Sequence, residues 1–293
     1  MNDTRPAGEE ARARTARGAA PATEAPGDDR MVDAYLDRLG VARPAEPDVA
    51  ALRELHLRHL RTVPFENLSI HLGEEVVLDH PALLHKVVVR RRGGFCYELN
   101  GAFAWLLTAL GYTVELLSAR MHGPNGFGPP FDHLALRVTV PGDRLGPWLA
   151  DVGAGNHCHL PLRLADRGEQ SDPVGSVFRI VRAPDGDLDV VRDGEPSYRL
   201  EPRARTLSDF LPTCWYQCTS AHSHFTANPI CSWVTDEGRI SISGRTLVRT
   251  AGSTVSREPL ADDEAVLAAY REHFGIVLDR VPAGPGRPTD APG

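Results

Sequence analysis

The stretch VVVRRRGGFCYELNGAFAWLLTALG runs from Val87 to Gly111 and changes character at its centre. Arg90, Arg91 and Arg92 lead into the Gly93–Gly94 pair. From there Phe95, Leu99, Phe103, Leu106 and Leu110 recur at helical spacing, and Gly111 stands where a helix end favours a left-handed residue. The spacing predicts a helix with Cys96 in its first turn. The first N–H groups of a helix have no intrahelical acceptor and the helix dipole is positive there, so both favour an anion. Paired glycines let another backbone or a ligand come close. With three arginines nearby, each feature favours a thiolate. The plain alternative is a buried thiol packed as a small hydrophobe.

On the N-terminal side, Val32, Tyr35, Leu36 and Leu39 follow helical spacing up to Gly40, which places the start of order at Val32. Asp48 caps a second helix carrying Val49, Leu52, Leu55 and Leu60, which ends at Pro64 and PFENL. Pro81 opens a third helix with Leu83, Leu84, Val87 and Val88. After Gly111 the period changes to alternation. YTVELLSARM, HLALRVTV, WLADV, VFRIVR, LDVVR and SYRLEPR are short strand-like runs separated by Gly, Pro and Asp. TLSDFLPTCWYQ returns to helix, ICSWVTDEGRISISGRTLVRT reads as strands with a turn at Asp236–Gly238, and DDEAVLAAYREHFG closes as an amphipathic helix. Helices, then strands, then a mixed end is an α+β layout. The expected units are a disordered tail over 1–30, a helical domain over 31–111, a β-barrel over 112–205, an α/β lid over 206–280 and a second tail over 281–293.

A nucleophilic thiol needs a base, and the base needs an orienting group. In DHLALRVTVPGDRLGPWLADVG, Leu134, Leu136, Val138 and Val140 take one face of a strand, so His133 lies on the other face with Ala135, Arg137 and Thr139. A hairpin centred near Gly142–Asp143 brings Asp151 close to His133, to within a few residues of register. Asp132 is the local rival, with its side chain on the opposite face. For an isolated His the plain alternative is a satisfied sheet histidine. Cys96, His133 and Asp151 together have the roles of a Cys–His–Asp triad.

Composition narrows the partners. The chain has 293 residues, a net charge of −7 and 42% hydrophobic residues. Nothing here favours a polyanion such as nucleic acid, and no apolar run reaches membrane-spanning length. Of 32 Lys and Arg, only Lys86 is lysine, and no phosphate-loop motif surrounds it. The first thirty residues hold no Val, Ile, Leu or aromatic and cannot form a signal-peptide core. A cytoplasmic protein with five reduced cysteines is expected. NHCHL at 156–160 and CWYQCTSAHSH at 214–224 raise a rival, a zinc-held binding module using Cys158, Cys214, Cys218 and Cys231. The spacing matches no strong zinc signature, and no metal site is assigned.

RRGGFCYELNG around Cys96, PFENL at 64–68, FDHLALRV at 131–138 and DVGAG at 151–155 resemble the arylamine N-acetyltransferases, as do CTSAHSHFTANPIC and HFGI further on. The likeness covers about residues 31–280. It implies a helical domain, a β-barrel and an α/β lid in a cysteine-protease-like arrangement. By resemblance Cys96 is the nucleophile, His133 its base and Asp151 the orienting carboxylate. Glu66 and Arg92 match a supporting ion pair, and Phe65, Phe131 and Phe225 match aromatic positions near the acceptor pocket. Where the family usually has DVGFG, Ala154 replaces the Phe. The resemblance implies ping-pong acetyl transfer from acetyl-CoA, a substrate and not a resident cofactor, to an arylamine, hydrazine or N-hydroxyarylamine. Two alternatives use the same triad: an amide synthase of the same family closing a polyketide macrolactam on a carrier-bound chain, and a thiol hydrolase. The oligomeric state is left open.

Overall fold

The computed structural model describes residues 28–155 and 158–283. Of the tails expected over 1–30 and 281–293, residues 1–27 and 284–293 lie outside the described residues, as do Asn156 and His157, whereas Asp29 and Arg30 are already helical. Helix α1 (Asp29–Leu39) starts ahead of Val32, because Asp28 caps it by accepting the Arg30 N–H at 3.1 Å; Gly40, at φ 68°, ends it. Helix α2 (Val49–Thr62) is capped by Asp48, as its sequence predicts. The two-residue strand β1 (Phe65–Glu66) and the short helix α3 (Leu68–Leu72) follow. Helix α4 (His80–Leu84), capped by Asp79, continues as a π-helical turn over His85–Val89. Helix α5 (Cys96–Ala109) is then buried on nearly every side. Leu99, Phe103 and Leu106 meet Tyr35, Leu39, Leu52, Leu55, Leu83 and Val87 in one core. Truncating a buried aromatic such as Phe103 to Ala would cost about 3–5 kcal/mol.

The barrel is a nine-stranded antiparallel sheet. Its strands are β2 (Thr113–Gly123), β3 (Gly126–Phe127), β4 (His133–Thr139), β5 (Trp148–Ala150), β6 (Leu162–Arg163), β7 (Gln170–Ser171), β8 (Val177–Arg182), β9 (Leu188–Arg192) and β10 (Glu195–Arg205). The order is β6-β5-β4-β2-β10-β9-β8-β7, with β3 on β2. The two ends of this order meet. The Gln170 amide accepts the Arg163 N–H at 2.7 Å and donates to the Arg163 carbonyl at 3.0 Å, so a side chain bridges β7 to β6. Alternation along β4 sorts its residues as expected. Leu134, Leu136 and Val138 join the helical core, while Ala135 joins the barrel core with Leu117, Phe178, Ile180 and Leu200.

A 3₁₀ turn (Leu207–Phe210), α6 (Leu211–Thr219) and α7 (His224–Ala227) lead to the lid sheet. Its strands are β11 (Ile230–Val234), β12 (Gly238–Ser243), β13 (Thr246–Ala251) and β14 (Thr254–Pro259), and helix α8 (Asp263–Phe274) packs on it. β1 extends this five-stranded sheet, pairing Phe65 with Ser232 and Glu66 with Cys231. The lid is thus hydrogen-bonded to the helical domain through PFENL. Asn67 reinforces the junction by donating to the Phe225 and Asn228 carbonyls and accepting the Ile230 N–H at 2.7 Å. Among the described residues, no helix is long and apolar enough to cross a membrane.

Candidate active site

The Gly pair before Cys96 has two causes: a neighbouring backbone closes off Gly93, and the Glu98 side chain closes off Gly94, whose Cβ would stand 2.6 Å from Glu98 Oε2. Glu66 donates its N–H to the Gly94 carbonyl at 2.8 Å, and a Cβ on Gly93 would stand 1.8 Å from the Pro64 carbonyl oxygen. PFENL therefore lies against the residues that lead into α5. Cys96 is the first residue of that helix. At the third position, Glu98 reaches back to accept the Phe95 N–H at 3.2 Å, and its other oxygen meets Lys86 Nζ at 2.6 Å. Burial pushes the Glu98 carboxyl up in spite of that ammonium.

Two of the three arginines expected to surround the thiol spend their charge elsewhere. Arg92, 3% exposed, pairs with Glu66 at 3.0 Å and Glu74 at 3.3 Å, and Arg90 pairs with Glu74. Burial acts to raise the Glu66 carboxyl, but the Arg92 and Lys86 charges and the Leu68 N–H hold it below the usual carboxylate range. Glu66 and Arg92 thus form a fully enclosed pair beneath the start of α5.

β4 brings His133 to the thiol. The imidazole makes a hydrogen bond with Cys96, and its Nε2 meets Asp151 Oδ2 at 2.7 Å. The β4–β5 register pairs Leu136 with Ala150 and Val138 with Trp148. Asp151, the residue after β5, is accordingly a diagonal neighbour of His133 on the same face. Cys96, His133 and Asp151 are 3%, 2% and 5% exposed. Burial acts to lower the His133 pKa, yet the Asp151 charge and hydrogen bond, with a smaller contribution from Cys96, raise it to about 10. Asp132 is turned away to Gln217 Nε2 at 2.7 Å and the Met121 N–H at 3.3 Å.

Sequence reasoning missed the residues that hold Asp151. Asn100 donates to its Oδ1 at 2.9 Å, the Gly153 N–H donates to the same oxygen at 3.0 Å, and the Tyr198 side chain makes a further hydrogen bond. Asn100 stands one helical turn after Cys96, a spacing that could have flagged it; nothing local marks Tyr198. Of the three aromatics, Phe65 and Phe225 come together, with ring centroids 6.3 Å apart, and Phe225 packs on Phe95 at 5.2 Å. Phe131 stands apart, its ring against Phe210 at 5.4 Å and under the Arg205 guanidinium at 4.9 Å. The cysteines of the zinc rival lie in three separate cores: Cys158 in the barrel, Cys214 and Cys218 on α6, Cys231 in the lid. Among the described residues, no group of three or more His, Cys, Asp or Glu side chains is arranged to hold a metal ion.

A thiol hydrogen-bonded to a buried imidazole–carboxylate pair, where a helical bundle meets a barrel, is the equipment of an acyl-transferring cysteine enzyme. The chain belongs to the arylamine N-acetyltransferase family, and the family's sequence profile, described as N-acetyltransferase, matches residues 48–282. It is 37% identical over 252 residues to an arylamine N-acetyltransferase of Mycobacterium bovis, covering 83% of this chain and 88% of that one. The fold is similar to the solved arylamine N-acetyltransferase of Mycobacterium marinum, with TM-score 0.77, 32% identity and coverage of 84% and 92%. The same Mycobacterium marinum enzyme in complex with CoA matches with TM-score 0.76, 32% identity and the same coverage of the two chains.

Proposed function

We propose that this enzyme transfers the acetyl group of acetyl-CoA to an arylamine, hydrazine or N-hydroxyarylamine by way of an acetyl-cysteine at Cys96. The observation that carries this reading is the hydrogen-bonded line from Cys96 through His133 to Asp151. The thiolate attacks the thioester carbonyl. The first-turn N–H groups of α5 are the donors available to the oxyanion. The tetrahedral intermediate expels the CoA thiolate, which takes its proton from the His133 imidazolium. The acceptor nitrogen then attacks the acetyl-cysteine, His133 takes the proton that nitrogen loses, and the Cys96 thiolate leaves. Donor and acceptor visit one site in turn, which gives ping-pong kinetics.

Asp151 fixes the ring so that one nitrogen is committed to the carboxylate and the other faces the thiol. Glu66 and Arg92 support the site and take no part in the chemistry. Phe65 and Phe225 form an aromatic wall for the acceptor, with Phe131 at the barrel side. A cytoplasmic location suits the donor and the five free thiols.

Intact mass after mixing with acetyl-CoA alone tests the scheme. One acetyl group should appear, be absent in Cys96→Ser, and be removed by an arylamine or hydrazine. A folded, unacetylated protein would sink the scheme and favour a carrier-bound acyl donor; an acetyl group lost to water without an acceptor would favour a hydrolase.

A further inference from the structure

Helix α2 brings His56 to the exit of β5, and no step above uses it. Its ring is 1% exposed and packs edge-on against Phe103, with ring centroids 6.2 Å apart. Nε2 accepts the backbone N–H of Asp151 at 3.1 Å, and Nδ1 meets the backbone carbonyl of His159 at 3.0 Å. Both partners fix the proton. An amide N–H can only donate, so Nε2 carries a lone pair; a carbonyl can only accept, so Nδ1 carries the hydrogen. The ring is therefore neutral and in one tautomer. Burial agrees with this, holding the His56 pKa down to about 4.

The two bonded groups are the backbone ends of the segment that carries DVGAG. β5 and β6 pair Leu149 with Leu162 and Trp148 with Arg163. Just beyond that ladder, the imidazole spans from Asp151 to His159 in the manner of a rung. His159 is itself anchored, its N–H donating to Asp172 at 2.6 Å and its ring meeting the same carboxylate at 3.0 Å. Asn100, Gly153 and Tyr198 hold the Asp151 carboxylate, whereas His56 holds its main chain.

We propose that His56 is a positioning residue for acetyl transfer: its neutral imidazole is a side-chain rung between Asp151 and His159 that sets the main chain of Asp151 and so the carboxylate orienting His133. This rests on the triad reading above. It differs from simple core packing because the bond pattern matters, not the volume. Glutamine, with an acceptor oxygen and a donor NH2 group, can replace the pattern; phenylalanine can replace only the volume.

The test compares acetylation of full-length His56→Phe, His56→Gln and Asp151→Asn by rapid-quench intact mass, with thermal unfolding of each. His56→Phe should unfold cooperatively, form acetyl-Cys96 about 100-fold more slowly, as a small misplacement of a catalytic group does, and leave the acetyl-CoA concentration that half-saturates this single-turnover acetylation unchanged. His56→Gln should recover most of the lost rate. A folded His56→Phe at the wild-type rate beside a slow Asp151→Asn overturns the proposal and spares the triad. A wild-type rate in Asp151→Asn overturns both. Should His56→Phe not fold, ¹⁵N NMR of the wild-type ring, assigned against His56→Gln, decides. The Nδ1–H neutral tautomer is expected, and the Nε2–H form or an imidazolium near pH 7 overturns the rung.

Discussion

Gly153 lies against Cys96: a Cβ on it would stand 2.7 Å from the Cys96 Cα and 3.0 Å from the Cys96 carbonyl oxygen, with Asn100 Nδ2 also at 2.7 Å. The strand exit that carries Asp151 thus touches the first turn of α5 backbone to backbone. One methyl group should prise the two apart. Gly153→Ala is expected to lose about 1–3 kcal/mol of stability, as overpacking does, and to slow acetylation. Urea unfolding and single-turnover acetylation check this; wild-type values in both would show that the contact yields freely.

The Glu66–Arg92 pair should behave as an enclosed pair and not as a surface one. Arg92→Met leaves Glu66 buried without its main cation and should cost about 3–5 kcal/mol. Glu66→Leu combined with Arg92→Met should recover part of the loss. Because the Glu66 pKa is lowered by folding, its contribution is present above the ordinary glutamate value of about 4.3 and disappears as pH falls through the folded value. The stability difference between wild type and Glu66→Gln should therefore narrow in acid. Chemical denaturation at a series of pH values measures it, and a difference that widens below about pH 4 would contradict the sign.

His133 has the opposite sign. Folding raises its pKa to about 10. Its contribution to stability is then complete below the unfolded value of about 6.5 and is lost as pH climbs through the folded one. The unfolding free-energy difference between wild type and His133→Asn should shrink between those two values. A flat difference across that range would mean that the ring is not held as imidazolium.

Ala154 is half-buried between Gly153, against the Cys96 main chain, and Gly155, where a Cβ would lie 3.8 Å from the Phe65 ring. Adding an aromatic there should narrow the acceptor space. Ala154→Phe is expected to lower kcat/KM for a bulky bicyclic arylamine about tenfold or more, in line with the cost of steric changes in apolar pockets. A small hydrazine should be little affected. Equal losses for both acceptors in steady-state assays would place position 154 outside the acceptor space.

Much of this was legible because it is periodic. The apolar stripe of α5 placed Cys96 in a first turn, alternation along β4 gave His133 its face, and the hairpin after β4 brought Asp151 near it without exact register. What stayed hidden depends on pairs far apart in sequence. The arginines before the glycines read as a field for the thiol, yet Glu66 and Glu74 take up two of them. β1 and α3 are too short to carry a period, and β14 is exposed throughout, so no burial pattern marks it. His56 and Tyr198 sit in ordinary amphipathic runs and gain their roles only from the residues folded against them.

Lys86 has a practical consequence beyond its bond to Glu98. It is the only lysine, and its side chain is 12% exposed and held in an ion pair. Guanidinium groups are poor nucleophiles at neutral pH, so the arginine-covered surface resists the slow chemical modification that activated esters and thioesters inflict on exposed amines. The α-amino group is then the one unshielded amine of the sequence, and a gain of one acetyl mass that Cys96→Ser abolishes can be read as a statement about a thiol.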